Sequence, residues 1–154
     1  MYSEYIYNTV KQTLQNDLNL ETNDNEGQII VPKVSIKTSL RTFTTVIRVR
    51  ENDCYFYAYY DGFGIKSENM NKVAELLMKI NSNYIYPYLL LDYKNMIVYS
   101  RYMPTISEES CNKTKIEDAF YGVGAQLQRW AEAILSVSLG YESPDEAISK
   151  VKIP

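Results

Sequence analysis

The chain has 154 residues, enough for one domain with a real core, and its 45% hydrophobic and 23% charged content is ordinary for a globular protein. A net charge of −3 and a pI near 5.1 argue against a surface built mainly to neutralise phosphates. There is no histidine, which removes the commonest general base and metal ligand, and two cysteines are too few for a disulfide scaffold.

In chain order, Tyr2, Ile6, Val10, Leu14 and Leu18 recur every four positions and predict an amphipathic helix over residues 2–20. The polar stretch Glu21 to Gly27 ends it. Ile29-Ile30-Val31 reads as a short strand, and Pro32 places it at an edge or at a strand start.

Arg41 to Arg50 and Cys54 to Asp61 form the clearest β pair. Phe43, Thr45, Ile47 and Val49 alternate with Thr44, Val46, Arg48 and Arg50 at the period of a half-buried strand. With Asn52-Asp53 as a two-residue turn, Val49 faces Phe56 and Ile47 faces Ala58 on one side. On the other side Arg50 faces Tyr55, Arg48 faces Tyr57 and Val46 faces Tyr59. Apolar and Arg–Tyr pairs thus separate onto opposite faces, which is what fixes a register.

After Asp61-Gly62-Phe63-Gly64, Ser67 is placed to cap a helix whose stripe is Met70, Val73, Ala74, Leu77 and Ile80. Asn81-Ser82-Asn83 stops it. Two apolar runs, Tyr84 to Tyr93 and Met96 to Met103, then read as a hairpin turning at Lys94-Asn95. The Leu89-Leu90-Leu91 run leaves the facing of that hairpin open. Ile116, Phe120, Val123, Leu127, Trp130, Ile134 and Val137 predict a long helix, in which Gly122 and Gly124 let the helix approach the sheet. Gly140 stops it. Ser143-Pro144-Asp145-Glu146 opens a short helix over residues 143–151.

The whole chain, 1–154, therefore reads as a single α+β domain: an N-terminal helix, a body of strands and helices over 28–139, and a short C-terminal helix. The expected architecture is a twisted, mainly antiparallel sheet of about five strands with helices on one face.

The passage Met70-Asn71-Lys72-Val73-Ala74-Glu75-Leu76-Leu77-Met78-Lys79-Ile80-Asn81, followed by Tyr88-Leu89-Leu90-Leu91-Asp92 and Ile97-Val98-Tyr99-Ser100-Arg101-Tyr102, resembles the YbjN-like family of bacterial sensory-transduction regulators. That family is related in fold to the chaperones of type III secretion systems. The resemblance implies a non-enzymatic, chaperone-like protein, often dimeric, that binds other polypeptides. It supplies no catalytic motif. Lys94-Asn95 departs from the family's usual Asp-Gly-like turn, and the strands are richer in tyrosine.

Chemical motifs are weak. Tyr121-Gly122-Val123-Gly124 lies inside a helical pattern and lacks the strand that precedes a dinucleotide fingerprint, and Asp61-Gly62-Phe63-Gly64 lacks the Lys-Ser/Thr of a phosphate loop. Glu108-Glu109 and Glu117-Asp118 read as solvated surface. Cys54 points inward with no histidine to activate it. No calcium-type loop is present, and no cofactor is expected.

The candidate site is the outer sheet face, carrying Val46, Arg48, Arg50, Tyr55, Tyr57 and Tyr59, joined by Tyr88, Leu90, Tyr99 and Arg101 if the second hairpin faces the same way. Tyrosine and arginine are enriched at interfaces, so a homodimer is expected there, with a protein or peptide partner as the other option. Arginines among tyrosines also stack single-stranded nucleic acid in some proteins, a reading that the net charge disfavours. A carboxylate-based small-molecule enzyme is the alternative from another class. No secretory signal pattern and no apolar run of ~20 residues occurs, so a cytoplasmic protein without membrane association is expected.

Overall fold

The computed structural model describes residues 1–83 and 87–151. Helix α1 spans Glu4–Gln12 and continues as a π turn, Thr13–Asp17. It starts later than the apolar pattern predicts, because the Ser3 hydroxyl accepts the Ile6 N–H and sets the first turn. Ile6, Val10 and Leu14 are fully buried. Their four-residue repeat exceeds the 3.6 of an α-helix, and the wider π turn takes up part of that excess.

The strands are β1 (Asn23–Asn25), β2 (Gln28–Ser35), β3 (Thr42–Val49), β4 (Cys54–Tyr60), β5 (Tyr88–Asp92) and β6 (Ile97–Tyr102). They form one sheet in the order β1-β2-β3-β4-β6-β5 with every pairing antiparallel. Among the described residues the sheet has six strands where about five were expected, because part of the polar stretch read as a turn folds back as β1. Glu26 and Gly27 both take positive φ, the geometry of a tight hairpin turn, and so pair Asn25 with Gln28. Pro32 sits where the β2–β3 register shifts, beyond the reach of β1, so no ladder needs its missing N–H.

The β3–β4 faces are as expected, but the register is displaced by two residues. Ile47 pairs with Phe56, Thr45 with Ala58, Arg48 with Tyr55, Val46 with Tyr57 and Thr44 with Tyr59. The turn is Glu51-Asn52 rather than Asn52-Asp53. Arg50 and Asp53 close it through a backbone bond of 2.8 Å and a bidentate ion pair, Nε–Oδ1 2.6 Å and Nη2–Oδ2 2.7 Å. A shift of two keeps each side chain on its own face.

Helix α2 (Met70–Asn83) follows a 3₁₀ turn, Ser67–Asn69, and Ser67 makes no side-chain capping bond there. Val73, Leu76, Leu77 and Ile80 are buried. The second hairpin turns over Tyr93 to Met96, longer than Lys94-Asn95 alone. Asp92 holds that turn by accepting the Lys94 and Asn95 N–H groups, both at 3.0 Å. The Tyr84 to Tyr86 part of the first run lies outside the described residues.

At the free edge of the sheet, the Asn81 carboxamide takes both backbone groups of Leu89, accepting its N–H at 3.0 Å and donating to its carbonyl at 2.7 Å. The end of α2 is thereby tied to β5 as a neighbouring strand would be.

Helix α3 (Lys113–Ser138), capped by Asn112, crosses the inner face of β3, β4 and β6, with every residue of its predicted stripe buried. Helix α4 (Pro144–Ser149) is capped by Ser143 and packs on α2 and α3. The Tyr60 hydroxyl donates to the Leu127 carbonyl at 2.6 Å, joining β4 to α3 inside the core.

The two α3 glycines differ. A β-carbon at Gly124 would lie 2.6 Å from Cζ of the buried Phe43 ring on β3, while one at Gly122 would meet only Pro87 at an ordinary 3.6 Å. Alanine favours a helix interior by about 1 kcal/mol over glycine, whereas overpacking a core costs about 1–3 kcal/mol. Gly122→Ala is therefore expected to raise stability by up to about 1 kcal/mol, and Gly124→Ala, where the clash outweighs that gain, to lower it by up to about 2 kcal/mol. Urea midpoints that move in the same direction for both would contradict the close approach at Gly124.

Candidate partner-binding face

The outer face of the sheet is built by alternation. Along β4, Cys54, Phe56, Ala58 and Tyr60 turn inward and are buried, while Tyr55, Tyr57 and Tyr59 turn outward and are half-buried. Pairing carries this across β6 and β5, where Tyr57 lies opposite Arg101, which lies opposite Tyr88. Tyr59, Tyr99 and Leu90 make a second row. The second hairpin thus faces the same way as the first, with Leu89, Val98 and Ser100 buried on its inner side.

The face is concave. A hollow of about 700 Å³ is lined by Arg48, Arg50, Tyr55, Tyr57, Tyr59, Tyr99 and Arg101, together with Asp92, Asn95, Ile97 and Met103. Seven of the ten residues expected on that face line it, and Leu90 lies outside the lining. Val46 lies outside it as well. It is on the outer face yet only 5% exposed, because Ile30 and Tyr57 flank it on the adjoining strands, so a partner cannot reach it as expected. Tyr88 stands beside the hollow at 37% exposure rather than in its lining. Asp92, Asn95, Ile97 and Met103 escaped sequence reasoning; once the hairpin's facing is fixed, alternation alone would have placed Ile97 and Asp92.

The floor is aromatic. The Tyr55 and Tyr57 rings stack with centroids 5.9 Å apart and planes 26° apart. The Arg50 guanidinium lies 5.5 Å above the Tyr55 ring while held by Asp53, an arrangement that fixes a long side chain in place. Arg48 donates to Gln28 Oε1 at 2.8 Å. Burial pushes the Tyr57 hydroxyl above the ordinary tyrosine range, against the opposing pull of the Arg48 guanidinium and its hydrogen bond. Asp92 is held below the usual carboxylate range, first by the Asn95 backbone N–H and then by the Asn95 side chain. Its oxygens are engaged in the turn. Arg101 is exposed and makes no ion pair or side-chain hydrogen bond among the described residues.

These groups recognise by hydrogen bonding, charge and stacking. Among the described residues no cluster of three His, Cys, Asp or Glu side chains is placed to hold a metal ion. Both cysteines are free and buried, and burial raises both thiols, that of Cys54 to about 12. A second, shallower groove of about 430 Å³ runs between α2 and β5, past Leu77, Met78, Leu91 and Tyr93. No helix among the described residues is long and apolar enough to cross a membrane.

An open antiparallel sheet with its helices on one face and a concave, tyrosine-floored other face defines the class as α+β. Among solved structures the chain is similar to YbjN from E. coli, described as a candidate transcription regulator, with a TM-score of 0.45 and 15% identity over 96% of each chain. No protein-family model matches the chain, and no match is found among curated proteins.

Proposed function

We propose that the protein is a non-enzymatic regulatory or adaptor protein that docks another polypeptide in the hollow of its outer sheet face. The observation that carries this reading is the hollow itself, about 700 Å³ with an aromatic floor and three guanidinium groups. Tyrosine and arginine held rigid in a concavity are the residue types and geometry that dominate binding energy at protein interfaces. Docking needs no reacting group, only shape and donors.

A second copy of the chain is the other occupant. A two-fold pairing would set two such hollows against each other and leave space that neither copy fills, whereas a partner's protruding segment fills it. Single-stranded nucleic acid would gain from the tyrosines but would meet a chain of net charge −3.

The test is affinity capture from the native host with wild type, Tyr57→Ala and Arg48→Glu, read by mass spectrometry, with light scattering on each purified protein. The reading predicts a monomer that retains a discrete polypeptide, and loss of that polypeptide from both variants. Identical retained sets in all three would overturn it. A wild-type dimer that Arg48→Glu dissociates would assign the face to a second copy instead.

A further inference from the structure

The three arginines of the hollow differ in what they already hold, and the difference identifies the occupant's chemistry. Arg50 is engaged by both oxygens of Asp53, and Arg48 donates to Gln28. Arg101 has no ion pair or side-chain hydrogen bond among the described residues. It rises between two tyrosines, Tyr57 on β4 and Tyr88 on β5. The carboxylate on the rim, Asp92, accepts from Lys94 and Asn95 within its own turn, including the Asn95 side chain at 2.8 Å. The hollow therefore carries a free positive charge on a chain whose total is −3.

Resting on the docking reading, we infer that the docked polypeptide is acidic and seats a carboxylate on Arg101, with its neighbouring apolar or aromatic side chains over the tyrosine floor. A guanidinium receives a carboxylate through two parallel N–H···O bonds, and flanking rings exclude water from that pair. One free guanidinium suits one carboxylate. A nucleic-acid strand derives its affinity from several phosphates at once, which a face with one uncommitted guanidinium does not match.

The probes are a random glutamate–tyrosine copolymer, a lysine–tyrosine copolymer and a deoxythymidine oligomer. Binding is measured by calorimetry against wild type, Arg101→Gln and Arg101→Lys, after melting curves establish that the exposed substitutions leave the fold intact. The acidic copolymer is expected to bind wild type, to weaken at least tenfold with Arg101→Gln and less with Arg101→Lys, and to weaken as salt rises. Unchanged binding by Arg101→Gln overturns the inference. Equal binding of the lysine copolymer overturns the choice of charge and leaves polypeptide docking standing. Tighter binding of the oligomer than of either copolymer overturns both. Failure of the acidic copolymer alongside a captured polypeptide that Tyr57→Ala releases overturns the inference alone.

Discussion

Replacing Asn81 by leucine is expected to destabilise the protein by about 2–4 kcal/mol and to make it self-associate. The two side chains are similar in size, so packing changes little. What is lost is the pair of bonds to the Leu89 N–H and carbonyl, at 3.0 and 2.7 Å, on the outermost strand of the sheet. Each backbone group left unpaired costs about 1–3 kcal/mol where water cannot replace the partner. The exposed edge would then offer a template for another strand. Urea denaturation reads the first effect and light scattering at rising concentration reads the second. A midpoint and mass equal to those of wild type would show that Asn81 does not protect this edge.

Alkaline solution is expected to weaken the fold steeply. The folded state pushes the Cys54 thiol to about 12 through burial, and it also raises Tyr60, again through burial first. In the unfolded chain the thiol releases its proton near the ordinary value. Between about pH 9 and about pH 12 the unfolded state therefore binds fewer protons than the folded one, and stability falls as pH rises. The stabilising contribution is fully present below about pH 9. One such group changes stability by about 1.4 kcal/mol per pH unit, so Cys54 alone accounts for a loss of about 4 kcal/mol across that window. Tyr60 adds to the loss in the same direction. Denaturation at a series of alkaline pH values should show Cys54→Ala with a slope shallower than wild type by about 1.4 kcal/mol per pH unit. Equal slopes would mean that the thiol titrates alike in both states. The same burial predicts that thiol reagents label Cys54 only after unfolding.

The apolar periodicities marked the helices and the core because each is a many-residue signal. The whole stripe of α3 is buried, and Phe56 is inside while Tyr57 is outside. Alternation also placed Arg48, Tyr55, Tyr57 and Tyr59 on one face before any register was known, since a shift of two preserves facing. What alternation leaves open is the exact turn, and there a local ion pair decided: Arg50 with Asp53 selected Glu51-Asn52. Strand β1 was hidden for a related reason. Asn23-Asp24-Asn25 has no strand composition, and its pairing derives from the positive-φ turn at Glu26-Gly27. The triple leucine of β5 gave no facing because both of its faces are apolar. The hollow was illegible too, because its lining is drawn from four strands and the residues beside them rather than from any one element. Val46 shows the cost of that gap. Its facing was legible, but its cover by Ile30 and Tyr57 was not.

The account rests on the outer sheet face as the place where a polypeptide docks, and amide chemical-shift mapping tests it most directly. The isotope-labelled protein is titrated with the polypeptide retained in capture, and shifts are assigned along the chain. The account predicts the largest changes at Arg48, Tyr55, Tyr57, Tyr99 and Arg101, on β3, β4 and β6. Changes that cluster instead at Leu77, Met78, Leu91 and Tyr93, along the groove between α2 and β5, would contradict it.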